Sequence, residues 1–254
     1  MATKDTQLGQ VVWYDLFTPD AAASAEFYGA LTGWQIQTMN MGNRTYSMFV
    51  DGKEGIGGLE PKDGPGPGHW IGYVRVRSLA ETLDKVTELG GITLKEPTSI
   101  SPTSAYAIFR DPQGAVCGIY ADEHDPGRGE RPDVGRFTWS EMGAEQSDAA
   151  REFYLAVFSW ELGDSMDMGP GGTYQMLRAA GTDWHIGGLY DKSHESPNAF
   201  WAHYITVPAL GPALELVKER GGTVLFEPQS VGGGDHIVQC IDPQGCMFAL
   251  HARA

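Results

Sequence analysis

The chain has 254 residues, of which 41% are hydrophobic and 11% aromatic, a composition that fits a globular protein with a buried core. Its net charge of −15 and pI of about 4.7 exclude the clustered basic surface that binding to a nucleic acid backbone requires. No stretch approaches the roughly 20 apolar residues of a membrane-spanning helix, and the first residues lack an apolar signal region. We therefore expect a soluble, cytoplasmic protein with neither nucleic acid nor membrane as a partner.

The chain contains an internal duplication. The segment from Trp13 to Trp34 recurs from Trp139 to Trp160 at an offset of 126 residues, and the offset grows to 131 residues at later matching positions. Because so few residues are inserted, the two copies indicate two homologous domains. We predict an N-terminal domain at residues 8–122, a charged linker rich in Pro and Gly at residues 123–135, and a C-terminal domain at residues 136–254.

Each copy is predicted to contain two modules, and each module has one strand, one helix and three further strands. Residues 11–17 have the apolar and aromatic pattern of a strand, and Asp20 offers an N-cap to the helix that follows. In the next module, Ser78 and Glu81 form a capping box before a second helix. The other predicted strands of the first copy are residues 45–50, 56–59, 70–76, 92–94, 105–109 and 116–120. The second copy repeats this order, which predicts an α+β fold of four βαβββ modules.

The order of these features resembles the vicinal oxygen chelate superfamily, which contains glyoxalases, extradiol dioxygenases and bleomycin-resistance proteins. The resemblance covers both copies and is closest to the two-domain, glyoxalase-like proteins of bacteria. It implies two tandem glyoxalase-like domains with curved mixed sheets that enclose a cleft, although such a fold does not decide the chemistry. The residues that carry it are Asp20, Phe27-Tyr28, Gly90-Gly91 and Asp111-Pro112-Gln113-Gly114, with Phe153-Tyr154, Gly221-Gly222 and Asp242-Pro243-Gln244-Gly245 in the second copy.

The resemblance also implies where a metal site would lie. The family's first-strand ligand falls on Trp13 and Trp139, whose indole N–H is a donor and cannot coordinate a metal. The other ligand positions of the family fall on or near Gly118, Ala249, Ile71, Ala202, Gly58 and Gly188. We therefore expect no metal and no cofactor at the family's position. A divalent metal held by Glu141 and His251 is the alternative.

Two acidic residues at matching positions are the candidate catalytic residues. Strand alternation places Asp15 on the same face as Trp13, and Glu141 on the same face as Trp139. A carboxylate in an aromatic cleft can serve as a general base or accept a hydrogen bond from a ligand. A structural hydrogen bond retained from the duplication is the alternative.

Aromatic residues and one histidine complete the predicted ligand-binding set. It contains Trp13, Trp139, Tyr73, Tyr204, Tyr120 and His251. His203 lies on the face opposite Tyr204, which favours a place in the core over a ligand role. The three cysteines lie in or beside apolar strands, which favours reduced core residues over a reactive thiol.

These features support two main hypotheses of function. The first is a metal-free protein of the bleomycin-resistance type that binds a small aromatic or apolar molecule. The second is an isomerase, lyase or oxygenase acting on a small carbonyl or aromatic compound, with Glu141 or Asp15 as base and a divalent metal as an option. A third hypothesis assigns binding to one half and a structural role to the other. The sequence leaves open a monomer or a homodimer, whose clefts can form between chains.

Overall fold

The structure, a computed structural model, describes residues 8–40, 45–64, 66–123, 134–183, 185–193 and 198–254. In the first copy, the strands and helices are β1 (Val11–Thr18), α1 (Ala21–Thr32), β2 (Gln35–Asn40), β3 (Thr45–Asp51), β4 (Glu54–Pro61), β5 (His69–Arg75), α2 (Leu79–Glu88), β6 (Ile92–Ser99), β7 (Ser104–Arg110) and β8 (Val116–Asp122). In the second copy, they are β9 (Phe137–Ala144), α3 (Ser147–Phe158), β10 (Glu161–Asp167), β11 (Thr173–Arg178), β12 (His185–Asp191), β13 (Phe200–Thr206), α4 (Leu210–Glu219), β14 (Thr223–Val224), β15 (Gln229–Ser230), β16 (His236–Ile241) and β17 (Met247–Ala252).

The strands form two mixed sheets, neither of which closes into a barrel. One has the order β2-β3-β4-β1-β5-β8-β7-β6, and the other has the order β10-β11-β12-β9-β13-β17-β16-β14, with β15 paired to β16. In each of the four modules the first strand pairs in parallel with the last strand, and the remaining pairs are antiparallel. The predicted α+β class and the four βαβββ modules are confirmed.

Local sequence signals explain where the helices begin and end. Asp20 caps α1 by accepting a hydrogen bond from the backbone N–H of Ala23 at 3.0 Å. Ser78 caps α2 in the same way through the N–H of Glu81 at 3.3 Å. Gly33 ends α1 with a φ of 82°, a left-handed conformation that glycine adopts without steric cost. These N-caps are the ones that the sequence predicts.

Two strands that the sequence does not locate are β2 and β10. Each lies at the edge of its sheet, and most of its residues are exposed. An edge strand that buries few side chains lacks the alternation of apolar and polar residues by which strands are recognised. The interpretation of residues 123–135 as a linker falls mostly on residues 124–133, which lie outside the described part of the chain.

The chain folds into two compact units, and each takes one module from the first copy and one from the second. We call the two units outer and inner after the order of their modules along the chain. The outer unit contains residues 13–71, 134–139 and 202–254, which hold the first and fourth modules. The inner unit contains residues 8–12, 72–123 and 140–201, which hold the second and third modules. The predicted division into residues 8–122 and 136–254 therefore describes sequence repeats and stays a prediction as a division into domains.

A buried Trp-Tyr-Asp chain joins the two modules of each unit. In the outer unit, Trp70 Nε1 donates to the Tyr28 hydroxyl at 3.0 Å, which donates to Asp242 Oδ2 at 3.1 Å. In the inner unit, Trp201 Nε1 donates to the Tyr154 hydroxyl at 3.0 Å, which donates to Asp111 at 2.9 Å. The tyrosines and aspartates of these chains belong to the motifs on which the family resemblance rests, and their role in this chain is architectural.

Burial changes the pKa of the tyrosines and of the aspartates in these chains. Desolvation raises the pKa of Tyr28 and of Tyr154 well above the ordinary value, so both hydroxyls remain donors. Desolvation also raises the pKa of Asp111 and of Asp242, and hydrogen bonds from each turn's own backbone oppose that rise.

All three cysteines are free and buried, as predicted for core residues. Desolvation raises the pKa of each thiol, to about 12 for Cys240. Because the thiolate is the nucleophilic form, these cysteines are poor nucleophiles. Among the described residues, no helix is long and apolar enough to cross a membrane.

Candidate functional site

The first module places a tryptophan, a carboxylate and a tyrosine in one hydrogen-bonded cluster. Trp13 Nε1 donates to Asp15 Oδ1 at 2.9 Å, and the Tyr46 hydroxyl donates to the same oxygen at 3.0 Å. Trp13 Nε1 also lies 3.2 Å from the Tyr46 hydroxyl. Asp15 is 8% exposed. A buried carboxylate that accepts hydrogen bonds from two aromatic side chains fixes the orientation of both.

The register of β1, β3 and β4 explains how the cluster forms. Alternation along β1 puts Trp13 and Asp15 on one face, and the parallel register places Asp15 opposite Gly58 of β4. A Cβ atom at Gly58 would collide with both the Asp15 carboxylate and the Tyr46 hydroxyl. The missing side chain therefore makes room for a hydrogen bond that reaches across β4 from β3 to β1.

The Tyr46 hydroxyl is held in its protonated, donating form. Burial raises its pKa, and the negative charge of Asp15 raises it further. Tyr46 therefore remains a hydrogen-bond donor to Asp15 at neutral pH. The donors of Trp13 and Tyr46 are thus both engaged within the cluster.

The rest of the Trp13 ring lies against small and flexible neighbours. A Cβ atom at Gly55 would lie 2.9 Å from both the outer edge of the Trp13 ring and Met48 Sδ. Trp13, Tyr46 and Met48 are each half-buried, so part of each remains open to contact. The cluster therefore offers a flat aromatic surface flanked by a thioether, a combination suited to apolar rings.

The third module repeats the arrangement in the inner unit. Glu141 of β9 lies opposite Gly188 of β12, as Asp15 lies opposite Gly58. A Cβ atom at Gly188 would collide with the ring of Tyr174, which stacks on Tyr190 with centroids 6.1 Å apart. Glu141 is 6% exposed. The carboxylate, the glycine and the tyrosine thus recur together in the second copy.

Trp139 and Glu141, which are predicted to share a face, both lie on β9, and the boundary between the two units falls between them. Trp139 is half-buried and belongs to the outer unit, whereas Glu141 belongs to the inner unit. The structure brings Trp13 and Asp15 together, and their role in a site stays a prediction, as does that of Trp139 and Glu141.

Two of the predicted ligand-binding residues lie in the second module. Tyr73 is 2% exposed, and its ring covers Gly118 and meets Tyr106 edge to face at 5.7 Å. Tyr120 donates its hydroxyl to Asp122 Oδ2 at 2.9 Å. The burial of Tyr73 leaves almost none of its ring for stacking on a ligand in this conformation.

The last two predicted residues lie in the fourth module. Tyr204 is 1% exposed, and Gln239 Nε2 lies 3.5 Å from its hydroxyl. His251 is held at both ring nitrogens: Nδ1 lies 3.2 Å from Thr138 Oγ1, and Nε2 lies 2.9 Å from Asp235 Oδ2. His251 is therefore part of a polar chain and is not oriented by aromatic stacking.

His203 lies in the core, as the strand alternation predicts. It is 3% exposed, and Tyr14 meets it edge to face at 5.0 Å. Desolvation lowers its pKa from 6.5 to about 3, so the imidazole is neutral in the folded protein.

The residues at the family's metal positions do not fit a metal. Trp13 and Trp139 present indoles, and the positions at Gly58, Gly118 and Ala249 have no donor side chain. In the ranges that the structure describes, no three His, Cys, Asp or Glu side chains come together as metal ligands. The alternative pair of Glu141 and His251 stays a prediction. The expectation of a metal-free protein stays a prediction.

Three members of these clusters are missed by the sequence analysis. Tyr46 and Tyr174 contact their carboxylate or glycine across a neighbouring strand, which no local pattern reveals. A signal exists, because Thr45-Tyr46-Ser47-Met48 and Thr173-Tyr174-Gln175-Met176 share three of their four residues between the copies. Asp235 has no counterpart that would single it out.

The two halves of the chain match models of one protein family. Residues 136–250 match the model described as Glyoxalase/Bleomycin resistance protein/Dioxygenase superfamily, and residues 11–119 match that of the glyoxalase-like domain. The anthracycline biosynthesis protein DauV of Streptomyces sp. (strain C5) is 25% identical in an alignment 273 residues long, gaps included. The alignment covers 95% of this chain and 92% of the relative.

Solved structures share the fold at lower identity. The Mn(II)-bound glyoxalase from Novosphingobium aromaticivorans aligns with a TM-score of 0.66 at 13% identity, covering 97% of this chain and 82% of the other. The 2,2',3-trihydroxybiphenyl 1,2-dioxygenase from Sphingomonas wittichii strain RW1 aligns with a TM-score of 0.67 at 14% identity, covering 96% and 90%. Likeness at this level of identity concerns the fold alone.

Proposed function

Because the chain belongs to the glyoxalase/bleomycin resistance protein/dioxygenase superfamily, we propose that it binds a small, planar aromatic molecule on the face of Trp13, without a metal. The observation that carries the proposal is the hydrogen-bonded cluster of Trp13, Asp15 and Tyr46. The cluster lies at a position where relatives that use a metal place a ligand, and it holds the indole in one orientation. A rigid, half-exposed ring loses little conformational entropy when a flat ligand stacks on it.

The chemistry of the cluster favours binding over base catalysis at Asp15. Asp15 Oδ1 already accepts hydrogen bonds from Trp13 and Tyr46, so this oxygen is engaged in holding the two rings. We therefore assign Asp15 the task of positioning Trp13. Glu141 remains the candidate base of an enzymatic alternative, which no observation favours over binding.

The relative named for anthracycline biosynthesis suggests the class of ligand. Anthracyclines contain a planar system of fused rings, which is a shape that can stack on an indole. We therefore choose 1,4-dihydroxyanthraquinone as the first probe. The probe tests whether a planar aromatic shape is bound, and it is not proposed as the natural ligand.

Isothermal titration calorimetry of the purified chain with this probe tests the proposal. We expect saturable binding that Trp13→Leu weakens by about tenfold or more, since losing a stacked aromatic contact costs on the order of 1–3 kcal/mol. Asp15→Asn should weaken binding less, because the amide retains one acceptor for the indole N–H. Phe200→Leu, at a half-buried ring of the inner unit, is the matched control and should bind like the wild type.

Two outcomes would contradict the proposal. Equal affinity of the wild type and Trp13→Leu would remove Trp13 from the binding surface. Loss of binding after dialysis against a chelator, with recovery on adding Mn(II), would refute the metal-free part while leaving the aromatic surface in place.

A further inference from the structure

A second group of polar side chains in the outer unit forms a continuous hydrogen-bond chain. Thr206 Oγ1 donates to Thr138 Oγ1 at 3.0 Å, and Thr138 Oγ1 lies 3.2 Å from His251 Nδ1. His251 Nε2 lies 2.9 Å from Asp235 Oδ2, whose second oxygen accepts from the Ala254 N–H at 3.1 Å. Hydroxyl, imidazole and carboxylate thus follow one another within hydrogen-bond distance.

The partners decide where the protons lie. In the tautomer that carries its proton on Nε2, His251 donates to Asp235 Oδ2 and Nδ1 is an acceptor. Thr138 Oγ1 accepts from Thr206, and its hydroxyl proton has two acceptors within reach, His251 Nδ1 at 3.2 Å and the backbone oxygen of Tyr204 at 3.5 Å. Thr138 is half-buried, while Thr206 is fully buried, so of the two threonines Thr138 is the one with surface open to an outside molecule.

The duplication shows that this chain is particular to the second copy. The positions that correspond to Thr138, Thr206 and His251 in the first copy are Val12, Arg75 and Tyr120. A hydrogen-bond network needed only for the fold would suit both copies, which share the same strand pairing at this point. The second copy alone combines a hydroxyl, a base and a carboxylate that orients the base.

We propose that Thr138, His251 and Asp235 form an acyl-transfer site that hydrolyses activated esters with a small acyl group. A nucleophile hydrogen-bonded to a base, with the base oriented by a third group, is the arrangement that activates hydroxyl nucleophiles. In this arrangement Thr138 is the nucleophile and His251 the general base. Asp235 is a positioning residue that keeps the imidazole in the required tautomer.

The reaction balances without an oxidant or a cofactor. Thr138 Oγ1 bonds to the ester carbonyl carbon and passes its proton to His251 Nδ1, and the bond to the leaving alcohol breaks as that oxygen takes the proton. Water then adds to the acyl carbon and gives a proton to His251, and the Thr138 oxygen leaves and recovers it. One ester and one water yield one acid and one alcohol.

Hydrolysis of 4-nitrophenyl acetate by the full chain tests the site. We expect Thr138→Val to lower kcat/KM by about 100-fold or more, the size of effect typical of losing an activated nucleophile or its base. Thr138→Ser should retain activity because it keeps the hydroxyl. Thr98→Val, at a half-buried strand threonine whose hydroxyl donates to the backbone oxygen of Glu96 in its own strand, is the matched control and should leave the rate unchanged.

The acylated intermediate gives a second readout that does not depend on any variant. Mass spectrometry of acid-quenched wild type should find one acetyl group on the peptide that contains Thr138, and hydroxylamine should remove it, as expected of an ester. Asp235→Asn should lower kcat with little change in KM. Acetyl groups found only on amines, or a wild-type rate equal to that of Thr138→Val, would overturn the assignment.

Discussion

We expect acid to weaken the fold through His203, an imidazole enclosed by aromatic rings in the outer unit. Tyr14 meets it at 5.0 Å and Phe137 at 6.4 Å, and the side chain is 3% exposed. A charged imidazolium in this place would lose its hydration, which is why burial lowers the pKa of His203 to about 3. The folded state therefore requires the neutral ring over the accessible pH range.

The size of the effect follows from the two pKa values. In the unfolded chain His203 titrates near its ordinary pKa of 6.5, so below that pH the unfolded state binds a proton that the folded state refuses. Stability from the neutral ring is fully present above pH 6.5 and is lost as pH falls toward the folded pKa of about 3. Between about pH 8 and pH 5, this single group should lower the free energy of unfolding by about 2 kcal/mol.

Urea unfolding of the wild type and His203→Gln at both pH values isolates this contribution. The variant cannot bind the proton, so its loss of stability on acidification should be smaller than that of the wild type by about 2 kcal/mol, whatever its stability at neutral pH. His236→Gln, at an exposed histidine, is the control and should lose as much stability as the wild type. Equal losses in the wild type and His203→Gln would refute the reasoning.

Three further predictions concern the packing of the units. Tyr154→Phe should lower the free energy of unfolding by about 1–3 kcal/mol, because it leaves Asp111 and the half-buried indole of Trp201 without their shared partner; a change below about 0.5 kcal/mol in urea unfolding would contradict this. Gly58→Ala should separate the Tyr46 hydroxyl from the Asp15 carboxylate and shift the tryptophan fluorescence. Gly211→Ala, at a position on α4 with open space around it, is the control and should leave the free energy of unfolding unchanged or slightly raised. A fragment ending at residue 123 should show no cooperative unfolding alone and should gain it on mixing with the remaining residues, since each core needs a module from both copies.

Much of the fold follows from local patterns in the sequence. The caps at Asp20 and Ser78 and the shared face of Trp13 and Asp15 depend on neighbours only a few residues away, and the structure contains them. The contact of Tyr46 with Asp15 joins strands separated by a third, so it depends on the register of the whole sheet.

Alternation also predicts the face on which a side chain lies without predicting what covers it. Tyr73 lies on the sheet where a glycine at position 118 lets its ring lie flat, and the resulting burial removes most of the surface expected for a ligand. The module pairing likewise depends on which helices pack together, and no spacing along the chain specifies that choice.

The Trp-Tyr-Asp chains make each repeat depend on the other. Each chain takes its tyrosine from one repeat and its aspartate from the other. A substitution of either residue therefore removes a hydrogen-bond partner from the other repeat. Deleting either repeat would therefore take one partner from both Trp-Tyr-Asp chains at once.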